Sequence, residues 1–261
     1  ELSRYCRARD VIAAAYSNLN IEFGEAARNL HATLLAAAER DRPAVSGRVV
    51  AVTSALPIEG KSSTTGVLAA AARAAGQRVL IIDCDLRHSS MHTALGLDLS
   101  PGLAETIEQG LPPQKSIRVH LPTGVAVLPA GRPRGLPQRL LQSPRFASII
   151  ADLRHEFDLI LIDTPPVLGL SDTKVVARLA DHTMLAVCWS RTTWRAARLA
   201  IRTIAESSGS IVGVVLTRVN INRLAGFETP EAEPYRGGYR NYYQLSRNVT
   251  LDQPRLDGPR T

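Results

Sequence analysis

Lysine is almost missing from this sequence: Lys61, Lys115 and Lys174 stand against 28 arginines. Where arginine is the default cation, a retained lysine marks a place that suits a compact charge on a flexible stem better than a planar fork. Long hydrophobic runs are missing as well. No apolar stretch approaches the ~18–20 residues that a membrane helix requires, and no signal peptide opens the chain. Residue 1 is Glu rather than Met, so the expectation is a fragment or processed form, with any membrane anchor outside it. Cysteine is scarce: Cys6, Cys84 and Cys188 are odd in number and lack metal-ligand spacing. That argues against a disulfide framework or a zinc site and fits a reducing cytosol. Acidic residues are outnumbered, which leaves a net charge of +7 and a pI near 9.8. An arginine-rich solvated surface accounts for this, while a basic face for anionic lipid or nucleic acid stays open. At 261 residues the chain can bury one sizeable core, so one α/β domain with appendages is expected.

What is present is organised around residues 48–65. A β-branched run, Val49 to Thr53, has the character of a buried parallel strand. It breaks at Pro57 and Gly60 and resumes after Lys61 as an alanine-rich helix to about Ala75. Strand, tight loop ending Gly60-Lys-Ser62, and helix make a phosphate cradle. Loop amides and the helix N-terminus face the anion, Lys61 reaches the outer phosphates, and the Ser62 hydroxyl can ligate Mg²⁺. The strict pattern places glycine at position 55, where this chain has Ala55.

Two further strands end in carboxylates. Arg78-Val-Leu-Ile-Ile-Asp-Cys-Asp-Leu-Arg87 carries Asp83 and Asp85, and Phe157-Asp-Leu-Ile-Leu-Ile-Asp-Thr-Pro-Pro166 carries Asp163. Ligands of open α/β sheets sit at the carboxyl ends of strands, so all three acids belong beside the cradle. A strand-end turn with Asp as helix cap is the bland alternative for Asp83 and Asp85. Residues 88–102 read as loop, 103–109 as a short helix, 123–129 as a strand, and 131–137 as loop. Helices are expected at 138–141, 144–156, 172–180 and 193–207, and strands at 183–188 and 211–219. The alternation predicts an α/β fold: a doubly wound, mostly parallel sheet with helices on both faces.

Residues 1–46 read as an N-terminal helical segment, 47–222 as the nucleotide-binding domain, and 223–261 as a flexible tail. Within the first, Leu30, Leu34 and Ala37 form an apolar stripe. Glu25, Arg28 and His31 recur every three residues on another face, which serves either local ion pairing or a subunit contact. The tail holds four of the six tyrosines, Tyr235, Tyr239, Tyr242 and Tyr243, among glycines and arginines. A stacking tail is one reading; a cluster of phosphate acceptors is the other.

Together these stretches resemble the bacterial tyrosine kinases that control extracellular polysaccharide synthesis and export. Residues 54–62 are similar to that family's Walker A, 79–87 to its Walker A′, and 159–167 to its Walker B. Glu25-Ala-Ala-Arg28-Asn-Leu-His31 resembles its assembly helix. The resemblance implies a P-loop protein-tyrosine autokinase that uses ATP and Mg²⁺. Its ATP contacts would be Pro57, Glu59, Gly60, Lys61, Ser62 and Ser63, and its metal ligands Ser62, Asp85 and Asp163. Lys61 would stabilise charge and Asp83, in preference to Asp85, would act as base, with Arg87 ion-paired to their loop. The tail tyrosines would be acceptors, mainly for a neighbouring subunit. Implied partners are copies of itself in a ring, a transmembrane activator segment or protein, the polysaccharide machinery and a tyrosine phosphatase, with no nucleic acid. The implied location is the cytoplasmic face of the bacterial inner membrane. The chain departs from the pattern at His31, at Leu136 and Arg139 (Asn and Glu expected), and at Thr217, where related ATPases carry an adenine-contacting Asn. Two rivals share the fold or the machinery: a MinD/ParA-type positioning ATPase, and a non-enzymatic nucleotide-binding scaffold of a polysaccharide export complex. The first usually has a second lysine early in its loop, and residues 55–59 hold none.

Overall fold

The computed structural model describes residues 12, 21–41, 47–220 and 223. Of the expected N-terminal helical segment, residues 1–11, 13–20 and 42–46 lie outside the described residues, as does the tyrosine cluster of the tail. The described residues up to Arg218 form one compact unit.

Seven strands form the sheet: β1 (Arg48–Ser54), β2 (Val79–Asp83), β3 (Arg118–His120), β4 (Val125–Leu128), β5 (Leu159–Asp163), β6 (His182–Cys188) and β7 (Ile211–Thr217). Their spatial order is β3-β4-β2-β5-β1-β6-β7, parallel throughout except for β3, which runs antiparallel along β4. Every residue of β1, β2 and β5 is buried, as their unbroken apolar runs demand of strands covered on both faces.

Alternation along the strands divides the core. Val49, Leu80, Ile82, Ile160 and Ile162 turn to one face. There they meet α4 (Leu103–Glu108), α6 (Pro137–Leu141) and α7 (Pro144–Leu153), with Phe146 fully buried among them. Val50, Ile81, Leu159 and Leu161 turn to the other face, against α1 (Ile21–Asp41), α2 (Lys61–Ala74) and α3 (Met91–Leu95). The apolar stripe of α1 takes part as expected, with Leu34 buried and Leu30 packed alongside. A third cluster joins α8 (Asp172–Leu179) and α9 (Trp194–Glu206) to β6 through Ala177, Leu185, Ala200 and Ile204.

Two readings need correction. Residues 88–102 are not all loop: Met91, Ala94 and Leu95 fold into α3 and are buried. Between α4 and β4 the chain also forms α5 (Pro113–Ser116) and β3, neither of which was anticipated. All three are three to five residues long, too short to show a period.

Phe146 is the largest side chain with no exposure at all, wedged between α7 and the sheet. Phe146→Ala should cost about 3–5 kcal/mol, through lost burial and the cavity left behind. Urea unfolding should show a lower midpoint with an unchanged m value; a loss under 1 kcal/mol would contradict this packing.

Candidate active site

The loop after β1 is shaped by hydroxyl groups and one buried acid. Gly60 has φ +93°, a conformation that favours glycine, and a Cβ there would lie 3.3 Å from the Thr217 side chain. The Thr217 hydroxyl donates to the Glu59 carbonyl at 2.6 Å. The Glu59 carboxylate, 1% exposed, accepts from the Leu56 amide at 2.9 Å and from the Thr192 hydroxyl. Thr192 in turn accepts from the Cys188 amide at 2.9 Å. The loop is thus tied to the carboxyl ends of β6 and β7. Glu59, expected among the ATP contacts, has turned its carboxylate inward to hold this loop, and Thr217 spends its hydroxyl on the same task. Leu56, Pro57 and Ile58 form the exposed tip.

Beside the loop the three predicted acids converge. Parallel register makes Asp83 and Asp163 direct partners on adjacent strands. The Lys61 ammonium lies 2.9 Å from Asp85 Oδ2, 3.9 Å from Asp163 Oδ1 and 3.4 Å from the Ser62 hydroxyl. Asp83 Oδ1 accepts from the Asp85 amide at 3.1 Å, and Oδ2 accepts from the Ser89 hydroxyl at 2.7 Å. Asp83 and Asp163 have no solvent exposure. Burial, with the Asp163 charge adding to it, pushes the Asp83 carboxyl up to about 7, although Ser89 and Lys61 oppose the shift. Burial also raises Asp163, against the pull of Lys61 and the Ser62 and Thr65 hydroxyls nearby. For Lys61, burial favours the neutral amine, but Asp163 and Asp85 outweigh it and the pKa is raised. Lys61 is therefore a firmly held cation. Cys84 is buried among these acids and its thiol is raised well above its usual range, so it is no nucleophile.

The residues fit a magnesium ion. Both Asp163 oxygens are buried and complete no hydrogen bond among the described residues. Such atoms call for a cation. The Ser62 hydroxyl, bonded to Ser90 at 3.3 Å, lies in the same cluster. Among the described residues no three His, Cys, Asp or Glu side chains cage a metal by themselves. Mg²⁺ commonly binds through one or two carboxylates plus substrate phosphates, so the donor set here is of the expected kind.

Several placements differ from expectation. Arg87 does not pair with the Asp83–Asp85 loop; its Nε donates to Asp172 at 2.8 Å, tying that loop to the start of α8. Glu25 and Arg28 pair with each other on an exposed face. His31 leaves that face: it is 6% exposed and hydrogen-bonds Gln77 at 2.7 Å. Ser89, Ser90, His92 and Thr192 were not anticipated. His92 Nδ1 lies 2.9 Å from the Ser89 hydroxyl, which extends the Asp83 contacts outward. The available signal was the polar run His88-Ser-Ser90 immediately after a strand ending in acids.

Two measurements follow from this geometry. A buried carboxyl at about 7 keeps its proton between pH 4 and 7, where the unfolded chain has lost it. The folded state therefore loses stability as pH rises through that window. In nucleotide-free, metal-free protein, Asp83→Asn should be more stable than wild type by an amount that grows from pH 4.5 to pH 7.5. It should reach the order of 2 kcal/mol, read by thermal unfolding; a difference flat with pH would refute the assignment. Thr192→Val should leave Glu59 one donor short and weaken ATP binding about tenfold, whereas Thr192→Ser should restore it. Isothermal titration gives the answer, and equal affinity in the Val variant would show that the tie is dispensable.

Residues 47–205 match the family model described as an AAA domain. The chain is 34% identical over 200 residues to the succinoglycan biosynthesis transport protein ExoP of Rhizobium meliloti, covering 75% of this chain and 25% of that protein. It thus spans about a quarter of the length of that relative. The BceF tyrosine kinase domain superposes with a TM-score of 0.70 at 27% identity, over 78% of this chain and 81% of that one. At 20% identity, and so in fold alone, it matches cobyrinic acid a,c-diamide synthase from Mycobacterium smegmatis with bound ATP analogue and magnesium (TM-score 0.57, 78% of this chain, 97% of that). A lysine clustered with three strand-end acids beneath a phosphate loop, on this sheet and with these relatives, places the chain in the bacterial tyrosine kinase family of P-loop proteins.

Proposed function

We propose that this chain is an ATP-dependent protein-tyrosine autokinase serving extracellular polysaccharide synthesis and export. The observation that carries the reading is the Lys61–Asp85–Asp163 cluster, with Asp83 beside it, at the mouth of the phosphate loop. Ser62, Asp163 and Asp85 would hold Mg²⁺, which when bound neutralises phosphate charge and orients the transferred group. Lys61 exchanges Asp85 for the phosphates, a swing its flexible stem allows. The loop amides and the start of α2 receive the remaining phosphate oxygens. Asp83 takes the phenol proton: at about 7 it is a far better match to neutral pH than an ordinary carboxylate. Because Asp83 is fully buried, residues 84–90 must open for a tyrosine to approach it. Acceptors are Tyr235, Tyr239, Tyr242 and Tyr243 of a neighbouring copy, with Glu25 and Arg28 on the face available for assembly.

Among the described residues no helix is long and apolar enough to cross a membrane. The reading places the chain at the cytoplasmic face of the inner membrane, regulated by a transmembrane activator and reversed by a tyrosine phosphatase.

Lys61→Met should lower autophosphorylation by 10²–10³, as for loss of one charge-stabilising donor. The same change leaves buried acids without their counter-charge, so it should also destabilise the protein, and more at pH 8 than at pH 5. The variant should still be labelled in trans by an active copy lacking residues 231–261, read on a phosphotyrosine blot. Phosphate release with no phosphotyrosine in wild type would instead mark a positioning ATPase, and neither signal would mark a scaffold.

A further inference from the structure

The loop between β4 and α6 carries Arg132 and Arg134, and α6 adds Arg139 where the resembled pattern has Glu. All three side chains are exposed and have no ion-pair or hydrogen-bond partner among the described residues. The nearby acids are spent on backbone. Glu105 accepts from the amides of Gly102 at 2.8 Å and Arg132 at 3.1 Å, and Glu108 from those of Arg134 at 3.1 Å and Gly135 at 3.0 Å. Gly131 makes this possible: its φ is +74°, and a Cβ there would lie 2.1 Å from Glu105 Oε2. The result is a fixed loop whose outward face is cationic.

Its position matters. Leu128 of β4 is the register partner of Ile82, the residue before Asp83. The loop therefore leaves the sheet at the same edge as Asp83, one strand over, and two strands from Asp163. At ~4.8 Å per strand, its base stands about 5–10 Å from the buried acids.

The chain contains a complementary segment. Glu228-Thr-Pro-Glu-Ala-Glu-Pro234 places three acids and no cation on the N-terminal side of Tyr235, which Arg236 follows directly; the seven residues before Tyr239, Tyr242 and Tyr243 hold at most one of these acids and include Arg236 or Arg240. Pro230 and Pro234 bias the residues before them toward extended backbone. Four extended residues from Glu231 to Tyr235 span up to ~13–14 Å, enough to cross from loop to acids.

We propose that Arg132, Arg134 and Arg139 dock the acidic segment Glu228–Pro234 of a second copy and so select Tyr235 as the preferred acceptor. The proposal rests on the kinase reading above. The test uses full-length protein and a synthetic peptide of residues 227–237, in which Tyr235 is the sole tyrosine. Arg132→Glu/Arg134→Glu should raise the KM for this peptide about tenfold or more and leave the KM for ATP within twofold. Wild type should handle a peptide with all three glutamates changed to Gln equally poorly. A peptide with Glu231→Lys and Glu233→Lys should recover activity with the charge-reversed variant. An unchanged peptide KM in that variant overturns the proposal. So does a variant that loses sedimentation with phosphatidylglycerol vesicles and keeps its peptide KM, which would make the loop a membrane contact. Fluorescence anisotropy of the labelled peptide without ATP separates the two claims. Binding that needs the arginines but yields no phosphotyrosine upholds docking and removes the kinase; turnover indifferent to the arginines does the reverse.

Discussion

Three carboxylates and one ammonium share a buried site, and the chain around them is arranged to tolerate that imbalance. Parallel register forces it: Asp83 and Asp163 are partners on adjacent strands, so neither can move away without breaking the sheet. Lys61 answers part of the excess charge. Part of the remainder is met by Asp83 holding a proton toward neutral pH, while the two buried Asp163 oxygens stay without hydrogen bonds among the described residues. A site so short of positive charge stores an affinity for cations. Under the proposed function, a divalent ion arriving with phosphates would remove the deficit and so couple nucleotide binding to the electrostatics of this site.

The loop that must receive those phosphates is held from outside itself. A glycine at position 55 is replaced by fully buried Ala55, and the fixing contacts come from Thr192 and Thr217 at the ends of distant strands. Glu59 links both, through its carboxylate to one and its carbonyl to the other. Movement at the ends of β6 or β7 would therefore be felt at Gly60 and Lys61 without any contact to nucleotide.

Much of the site was legible because its acids end apolar runs, and such runs have few places to go other than the middle of a parallel sheet. Asp83 and Asp163 fall together on that ground, Asp85 follows two residues on, and Lys61 joins them through the strand–loop–helix pattern of residues 48–65. What could not be read depended on partners remote in sequence. Arg87 meets Asp172 and Thr192 meets Glu59 across 85 and 133 residues. His31 failed for a different reason. Residues three apart on a helix are rotated by about 300°, so each step of such a series drifts by 60°. Two steps carry position 31 some 120° from position 25, onto the side where Ala27 and Leu34 are buried. Glu59 stood among the ATP contacts only through the family resemblance, which says nothing of where its carboxylate turns. The burial and two donors of that carboxylate show that it gives the loop its shape.

The scarcity of lysine gains a physical meaning from this site. The Lys61 head is bonded to Asp85, one of the acids that would hold the metal. If nucleotide and metal bind as proposed, that acid would need a cation and the phosphates another, so Lys61 would leave one anion for the next while the site stays compensated. A guanidinium would bind a carboxylate through two parallel bonds and surrender it slowly; its planar fork also demands more room than a residue with 11% side-chain exposure enjoys. An ammonium is isotropic and sits at the end of four rotatable carbons. It can therefore trade partners over a few ångströms without reorganising the acids that hold it. In a chain with 28 arginines and only three lysines, one of the three stands at this loop, where such a mobile point charge suits the site.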